Sequence, residues 1–215
     1  MTSLLPDALK RDPLDRYYTP DHVADCFARW LRIPMGLRIV EPSVGGGAWV
    51  RAVRKHAQLC DITGYDVDPG ARGLAEVDHA RPGDWLGGEP AFFDLGIGNP
   101  PFGSEAVQHV RVALCRAPVV TFLLRTTFVA PVAYAKEPDH DKRAKMERAT
   151  LIYDTPPALE WTWPERIRFG GAAGSDSVLH SLFIWKRGHV GPWLREMCRP
   201  DVAGWMPSTS PWGPS

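Results

Sequence analysis

Short apolar runs alternate with stretches of helical periodicity along the first part of the chain. Runs of about four to eight apolar residues indicate buried strands, and apolar residues about three or four apart indicate amphipathic helices. The predicted strands are 37–40, 61–65, a short segment at 75–77, 91–97 and 118–124. The predicted helices are 22–31 with Asp21 as N-cap, 48–58 and 104–116. Strands that alternate with helices indicate βαβ units and therefore an α/β fold with a parallel sheet.

The pattern changes after the strand at 118–124. Residues 136–148 are charged and helix-like, whereas 158–163 and 178–186 predict a closing pair of strands. The segment between that pair, 169–177, is rich in glycine and serine and predicts a flexible loop.

The length of the chain favours a single domain. At about 100–200 residues per domain, 215 residues do not favour two full domains. Residues 1–16 are mixed polar and predict a loose N-terminal arm. Residues 199–215 are rich in proline, serine and tryptophan without periodicity and predict a disordered C-terminal tail. The folded domain is therefore expected at 17–198.

Composition excludes several function classes. The net charge is 0, which excludes a strongly basic nucleic-acid coat protein but not a local basic patch. The 4 cysteines form no Cys-x-x-Cys pair, so we expect reduced core thiols in a cytoplasmic protein. The longest apolar stretch is far shorter than the ~20 residues that span a bilayer, and no signal peptide is evident. The 7 histidines form no ligand pattern, so we expect no metal site.

A glycine-rich segment follows the first predicted strand. It runs from Glu41 to Gly47 as Glu-Pro-Ser-Val-Gly-Gly-Gly, and the helix at 48–58 comes next. Glycines at such a turn let the backbone approach a ligand, and a helix N-terminus offers free N–H groups. The segment is not G-x-G-x-x-G and lacks the Lys-Ser/Thr of a P-loop. On this pattern, a ligand-binding loop and a plain turn both stay open.

An acidic residue ends the second predicted strand. Asp66 lies 25 residues after Glu41, near the spacing of about 20 in a nucleoside-binding βαβ unit. A carboxylate in this position can accept hydrogen bonds from both ribose hydroxyls of a nucleoside cofactor. The alternative is a helix start, with Asp68 as the cap and Pro69 at the first helical position. The two interpretations are compatible.

The most specific motif is the tetrapeptide Asn99, Pro100, Pro101 and Phe102, which follows the strand at 91–97. Its two prolines remove two backbone donors and stiffen the loop. The Asn99 side-chain oxygen and the Pro100 carbonyl remain as a pair of acceptors. Such a pair suits a planar amine with two N–H donors, and Phe102 can stack on a flat ring.

From about residue 17 to residue 187, these motifs resemble those of S-adenosylmethionine-dependent amino-methyltransferases. The resemblance is greatest to the adenine-specific DNA methyltransferases of phages and restriction-modification systems. It implies S-adenosylmethionine as the cofactor, with a Y-T-P element over its methionine part, Asp66 at its ribose and Asp84 at its adenine amine. The cofactor-binding residues that it implies are Tyr18, Thr19, Pro20, Glu41, Pro42, Ser43, Gly45, Gly47, Asp66, Asp84 and Trp85.

The same resemblance implies the catalytic residues and the detailed fold. The implied catalytic residues are Asn99, Pro100, Pro101 and Phe102. Phe102, Arg168 and Phe169 are implied to bind the target base. The implied fold is a single Rossmann-like domain with a doubly wound, mostly parallel sheet of seven strands, in which the last strand, 178–186, is reversed.

The resemblance implies methylation of an adenine that is flipped out of DNA. Three alternatives stay open: an RNA adenine, a protein glutamine side chain, or a cofactor-binding accessory subunit that is not an enzyme. Enzymes with this motif order usually carry a separate recognition domain, but only 28 residues follow Arg187. We therefore expect a target site of at most about two to three bases, or a separate recognition subunit, because each base pair read needs its own placed contact.

Overall fold

A computed structural model describes residues 17–88, 90–102, 105–129, 139–170 and 178–212, and within 139–145 only the helical backbone. The described residues form an eight-stranded sheet flanked by helices. The strands are β1 (Arg38–Glu41), β2 (Asp61–Asp66), β3 (His79–Pro82), β4 (Leu95–Gly98), β5 (Val119–Arg125), β6 (Leu159–Thr162), β7 (His180–Lys186) and β8 (Leu194–Met197). The helices are α1 (Asp21–Leu31), α2 (Ala48–His56), α3 (Glu105–Arg116) and α4 (Asp139–Asp154).

The strands lie in the order β3-β2-β1-β4-β5-β7-β6-β8. Strand β7 runs antiparallel to both of its neighbours, and the other described pairs are parallel. The predicted α/β fold, with a mostly parallel sheet and a reversed strand near 178–186, is therefore confirmed. The sheet has an eighth strand, not the seven that were expected, because β8 pairs with β6 at the edge. The side chains of β8 are mostly exposed, so no apolar pattern marks it in the sequence.

Alternate side chains of the central strands enter two separate cores, one on each face of the sheet. Ile39 and Leu123 face the core that α1 and α2 cover. Val40 and Phe122 face the core that α3 and the end of α4 cover. Because both faces are buried, these strands read as continuous apolar runs, without alternation between apolar and polar residues.

The carboxyl ends of β1, β2 and β4 meet at one edge of the sheet. Strand β2 lies on one side of β1 and β4 lies on the other, so the strand order reverses between β1 and β4. In open α/β sheets a crevice forms at such a reversal, and ligands bind there. The glycine-rich segment after β1 and the tetrapeptide after β4 both start from this crevice.

The third strand is misplaced in the sequence prediction. Residues Arg72–Ala75 form a 3₁₀-helix, and β3 begins only at His79. All four residues of β3 are exposed, so no apolar run locates this strand.

The predicted N-caps are also wrong. Helix α1 begins at Asp21 with Pro20 as its N-cap, and the Asp21 carboxylate accepts a hydrogen bond from Arg51 at 2.6 Å. The Asp68 carboxylate accepts the Gly70 N–H at 2.9 Å, within a turn. Each of the two carboxylates therefore accepts a hydrogen bond from a group other than an N–H of the first helical turn.

The expected disordered tail is not found for residues 199–212. The Trp212 indole N–H donates to the Leu31 carbonyl at 2.7 Å, and the Trp30 indole N–H donates to the Trp205 carbonyl at 3.1 Å. The Trp30 and Trp205 rings meet edge to face, with centroids 4.9 Å apart. The last carbonyls of a helix have no partner within it, so the tail satisfies the end of α1.

The N-terminal arm at 1–16 and residues 213–215 lie outside the described residues. Among the described helices, none is long and apolar enough to cross a membrane. The four cysteines are free thiols. Cys115 is exposed, contrary to the expected core position, while Cys60 and Cys198 are buried.

Replacing Trp205 with alanine should lower the free energy of unfolding by about 1–3 kcal/mol, because it removes a partly buried aromatic contact with Trp30. Urea denaturation followed by fluorescence measures this change. Val190 is 96% exposed, and its alanine variant is the control, expected within about 0.5 kcal/mol of the parent chain. Equal stability of the Trp205 variant and the parent would mean that the tail contributes nothing to the fold.

Candidate active site

An open cleft lies at the crevice between β1 and β4. Its walls come from the segment before α1, the glycine-rich segment, the start of α2 and the first residue after β4. The lining residues are Tyr17, Tyr18, Thr19, Glu41, Ser43, Val44, Gly45, Gly46, Ala48, Trp49 and Asn99. The fold therefore brings together predicted cofactor and catalytic residues from three separate stretches of the chain.

The cleft contains only part of the predicted cofactor set. The predicted residues that line it are Tyr18, Thr19, Glu41, Ser43 and Gly45. Those outside its lining are Pro20, Pro42, Gly47, Asp66, Asp84 and Trp85. Sequence reasoning missed Tyr17 and Trp49. The apolar spacing of α2 marked Trp49 only as a core residue, and the sole signal for Tyr17 was its place beside the Y-T-P element.

The glycine-rich segment is held in a tight turn that requires glycine. Gly45 has φ +46° and Gly47 has φ +82°, values that favour glycine. The Gly45 N–H donates to Asp66 Oδ2 at 2.8 Å, and the Gly47 N–H donates to the Val44 carbonyl at 2.8 Å. A Cβ added to Gly47 would lie 2.8 Å from Arg51 Nη1. The glycines are therefore required by the conformation of the turn, and Gly45 and Gly46 also line the cleft.

The Tyr18 side chain lies directly over this loop. A Cβ added to Gly45 would lie 2.9 Å from Tyr18 Cδ1, and one added to Gly46 would lie 3.6 Å from Tyr18 Cγ. Tyr18 also exchanges two backbone hydrogen bonds of 2.9 Å with Gly170. The segment before α1 is thus pinned between the glycine loop and the segment after β6.

Four residues that line the cleft each carry a buried polar side-chain atom with no hydrogen-bond partner among the described residues. The four atoms are Thr19 Oγ1, Glu41 Oε2, Trp49 Nε1 and Asn99 Oδ1. A buried polar group without a partner costs about 1–3 kcal/mol, so it calls for a ligand, an ion or water. This set offers one hydroxyl, one carboxyl oxygen, one N–H donor and one amide acceptor. It fits a small ligand that carries both an amine and a carboxylate.

The Glu41 carboxyl group is the most strongly perturbed group in the cleft. Glu41 is only 1% exposed. Burial raises the pKa of Glu41 well above its ordinary value, and the nearby Asp66 carboxylate raises it further, while Arg51 opposes this effect. An added cationic group beside Glu41 would relieve this cost, because it would stabilise the ionised carboxylate.

Asp66 contributes first to the shape of the loop. Its Oδ2 accepts the Gly45 N–H at 2.8 Å, and its Oδ1 accepts the Asp68 N–H at 2.9 Å. An ionised carboxylate has about four acceptor positions, so about two remain after these bonds. Asp66 can therefore hold the loop and accept ribose hydroxyls at once, and its ribose role stays a prediction.

Of the two neighbouring residues predicted to bind the cofactor, Asp84 lies at the surface and Trp85 lies in the core. Asp84 is exposed, and its Oδ1 accepts the Leu86 N–H at 2.9 Å. Trp85 is buried, with the Arg116 guanidinium 4.1 Å from its ring centroid and the Tyr65 ring at 5.0 Å. The enclosed ring presents little surface to a ligand, and the role of Trp85 in cofactor binding stays a prediction.

Asn99 is oriented by the segment before α1. Its Nδ2 donates to the Tyr17 carbonyl at 2.9 Å, which leaves Oδ1 as an acceptor with no partner among the described residues. Pro100 is buried and Pro101 is half-buried, so the tetrapeptide is embedded in the fold. A backbone carbonyl far away in sequence thus sets which atom of the Asn99 amide is available to a ligand.

Phe102 belongs to an aromatic cluster next to the cleft. Its ring centroid lies 5.2 Å from Tyr17, 5.7 Å from Phe169 and 5.3 Å from His180. The Arg125 guanidinium lies 5.0 Å from the same ring. Phe102 is only 7% exposed, so it is not the open stacking platform that the sequence suggested. A flat ligand could stack on it only after a neighbouring ring moved.

The other predicted substrate residues lie beside this cluster. Phe169 is buried and Arg168 is exposed, in line with the alternation of exposed and buried residues along 166–170. A role for Arg168 in substrate binding stays a prediction. Within the described ranges, no group of three histidine, cysteine, aspartate or glutamate side chains could hold a metal ion.

Sequence comparison relates part of the chain to a restriction-modification enzyme. No protein-family model matches the chain. The type II methyltransferase M.TthHB8I of Thermus thermophilus is 35% identical over 103 residues, which make up 47% of this chain. The match spans only 24% of that relative's length.

Solved structures share the fold at low sequence identity. The M protein of the type I restriction enzyme EcoKI has a TM-score of 0.61 at 14% identity, over 86% of this chain and 46% of its own. A proposed RNA methyltransferase from Pyrococcus horikoshii has a TM-score of 0.59 at 16% identity, over 85% of this chain and 93% of its own. A modification subunit of a proposed type I restriction enzyme from Vibrio vulnificus also has a TM-score of 0.59, at 14% identity over 82% of this chain and 45% of its own. The chain has the class I, Rossmann-like fold of S-adenosylmethionine-dependent methyltransferases.

Replacing Glu41 with glutamine should raise the free energy of unfolding by about 0.5–2 kcal/mol near pH 8, because a neutral amide avoids the cost of burying a carboxyl group that ionises readily in the unfolded chain. The pKa of Glu41 is higher in the folded chain than its ordinary value of 4.5. The stability that Glu41 contributes is therefore fully present below pH 4.5, and it is lost as the pH rises through the pKa of Glu41 in the folded chain. The free energy of unfolding, measured by urea denaturation between about pH 4.5 and pH 8, should depend less on pH in the variant than in the parent chain.

The exposed Glu165 supplies the control, because Glu165→Gln removes a carboxylate of the same size from the surface. Its stability should stay within about 0.5 kcal/mol of the parent at each pH. A Glu41 variant that is less stable than the parent near pH 8 would contradict the prediction.

Proposed function

We propose that this chain is an adenine-specific DNA methyltransferase that transfers a methyl group from S-adenosylmethionine to the exocyclic amine of a flipped adenine. The observation that carries the proposal is the set of four buried polar atoms without partners in the cleft, next to an aromatic cluster. The set fits an amino-acid moiety at one end of the cleft. Asn99 Oδ1 fits an amine donor at the boundary with the aromatic cluster.

Residues of the cleft, together with Asp66 and Asp84 outside its lining, bind separate parts of the cofactor. Glu41 accepts hydrogen bonds from the cationic amine of the methionine part, and the Thr19 hydroxyl donates to its carboxylate. Asp66 accepts the ribose hydroxyls, and the exposed Asp84 accepts the amine of the cofactor's adenine. Tyr18 covers the methionine part above the glycine loop. When bound, the cofactor supplies an electrophilic methyl group on a sulfonium centre.

Asn99 and Pro100 activate the substrate amine. The lone pair of an adenine amine is delocalised into the ring, so the amine is a poor nucleophile. Asn99 Oδ1 and the Pro100 carbonyl accept its two N–H groups, which favours the pyramidal geometry that frees the lone pair. These hydrogen bonds strengthen as positive charge develops on the nitrogen, so they stabilise the transition state more than the ground state.

The aromatic cluster captures the target base. A base within a duplex cannot reach the cleft, so it must leave the stack. Phe102 and Phe169 then contact its faces, and the Tyr17 ring moves aside to admit it. Because the Tyr17 carbonyl also orients Asn99, entry of the base and placement of the acceptor are linked through one residue. The exposed Arg168 contacts the adjoining phosphate.

DNA is the substrate that we infer, for two reasons. The matched relative is a type II methyltransferase, and two structures with this fold are named for type I restriction enzymes. We assign the methyltransferase domain to 17–198, with the ordered segment 199–212 packed against it.

S-adenosylmethionine should raise the melting temperature of the chain, whereas NAD and ATP should not. At about 100 times its Kd, a bound ligand adds about 2.7 kcal/mol to stability. Asp66→Ala and Glu41→Gln should each remove most of this rise, and Glu165→Gln should keep it. Differential scanning fluorimetry measures all four proteins. An undiminished rise in both cleft variants would mean that the cofactor binds elsewhere.

Asn99→Ala should lower methyl transfer roughly 100-fold or more, because it removes a hydrogen-bond acceptor that acts in the transition state. Its melting-temperature rise with S-adenosylmethionine should be nearly unchanged. The matched control is Gln108→Ala, which removes an exposed side-chain amide from α3 and should keep full activity.

The measurement is transfer of tritiated methyl groups from the cofactor to DNA, RNA and protein, followed by nucleoside analysis. We expect N6-methyladenine in DNA. Label confined to RNA or to glutamine would replace the proposed substrate with one of those alternatives. Full activity of Asn99→Ala would remove the tetrapeptide from the mechanism.

A further inference from the structure

Arg51 on α2 connects three chain segments behind the cleft. Its Nη1 donates to the Gly46 carbonyl at 2.8 Å and to the two carboxylate oxygens of Glu76 at 2.7 and 2.9 Å. Its Nη2 donates to Asp21 Oδ1 at 2.6 Å. One guanidinium therefore binds the glycine loop, the residue after the 3₁₀-helix and the first residue of α1.

These contacts lie where the glycine loop is closely packed against its neighbours. A Cβ added to Gly47 would lie 2.8 Å from Arg51 Nη1 and 2.9 Å from Glu76 Cδ. Behind the loop, the Gly73 N–H donates to the Gly45 carbonyl at 2.9 Å, and a Cβ on Gly73 would lie 2.9 Å from Gly47 Cα. Arg51 and Glu76 therefore lie directly against the glycine loop at Gly47.

We propose that Arg51 is a positioning residue for the cofactor cleft, which holds the glycine loop in register with the Tyr18–Thr19 segment that precedes α1. This inference rests on the proposed binding of S-adenosylmethionine. The geometry supports it because Asp21 directly follows Thr19 and Pro20, so the Arg51–Asp21 contact fixes one wall of the cleft. The Arg51–Gly46 contact fixes the opposite wall.

Arg51 also balances the charge around Glu41. Asp66 and Glu76 raise the pKa of the Glu41 carboxyl group, and Arg51 is the charge that lowers it. The ionised form of Glu41 binds the cofactor amine. Loss of the guanidinium should therefore shift the pH dependence of cofactor binding to higher pH, which a purely structural effect on the loop would not do.

Stability alone does not account for this arrangement. The side chains of Arg51 and Asp21 are 42% and 70% exposed, and exposed ion pairs contribute little to stability. Arg54, one turn further along α2, is a matched control. Its side chain is 43% exposed, pairs with Asp78 at 3.0 Å and donates to the Glu76 carbonyl, but makes no contact with the glycine loop or α1 among the hydrogen bonds of the described residues.

The test compares the parent chain with Arg51→Ala, Arg51→Lys and Arg54→Ala by calorimetric titration with S-adenosylmethionine at several pH values. Arg51→Ala should weaken binding roughly 10- to 100-fold, the range typical when a group that orients the ligand contacts is removed, and should move its pH midpoint upward. Arg51→Lys should keep the midpoint but recover only part of the affinity. Arg54→Ala should stay within about threefold of the parent, well below one tenfold step.

A second measurement, hydrogen exchange, is made on the protein without cofactor. Hydrogen exchange of the Gly45 amide should be faster in Arg51→Ala than in Arg54→Ala, because the loop loses a support. Equal affinity of these two variants, with an unchanged pH midpoint, would overturn the inference. Absence of binding by the parent chain would instead overturn the proposed cofactor, so the two failures are distinguishable. Melting temperatures of all variants check that each one is folded.

Discussion

The site depends on the reversal of strand order between β1 and β4. Because β2 and β4 lie on opposite sides of β1, their connecting segments leave the sheet in opposite directions and a crevice opens between them. Helix α2 and strands β2, β3 and β4 separate the glycine loop from the Asn-Pro-Pro-Phe tetrapeptide along the chain, yet residues of both line the same cleft. No local interaction could bring them together.

The cleft combines unfavourable features that a ligand would relieve. A carboxyl group is buried beside another carboxylate, and three further polar atoms lack partners among the described residues. Each costs folding free energy, and the two cores on either face of the sheet supply the stability that tolerates this cost. Such sites bind tightly when a ligand supplies the missing charge and hydrogen bonds, because the protein has already been desolvated and ordered there.

The segment before α1 links the parts of the site. Tyr18 covers the glycine loop, the Tyr17 carbonyl orients Asn99, and the Tyr17 ring packs on Phe102. Its backbone is tied to Gly170 on one side, and Arg51 holds the start of α1 on the other. A short stretch with little periodicity of its own therefore controls the cofactor cleft and the aromatic cluster together.

Apolar runs in the sequence by themselves predicted the βαβ pattern, because they are local signals. The family resemblance of the motifs added the reversed strand and part of the cleft. Tertiary structure decided the rest. The exposed strands β3 and β8 carry no apolar signal, and the hydrogen bond from Trp212 to the end of α1 joins residues 181 positions apart. The Trp85 ring lies against Arg116, Tyr17 lines the cleft and orients Asn99, and Arg51 reaches Asp21, because contacts between residues far apart in the chain set the surroundings of each.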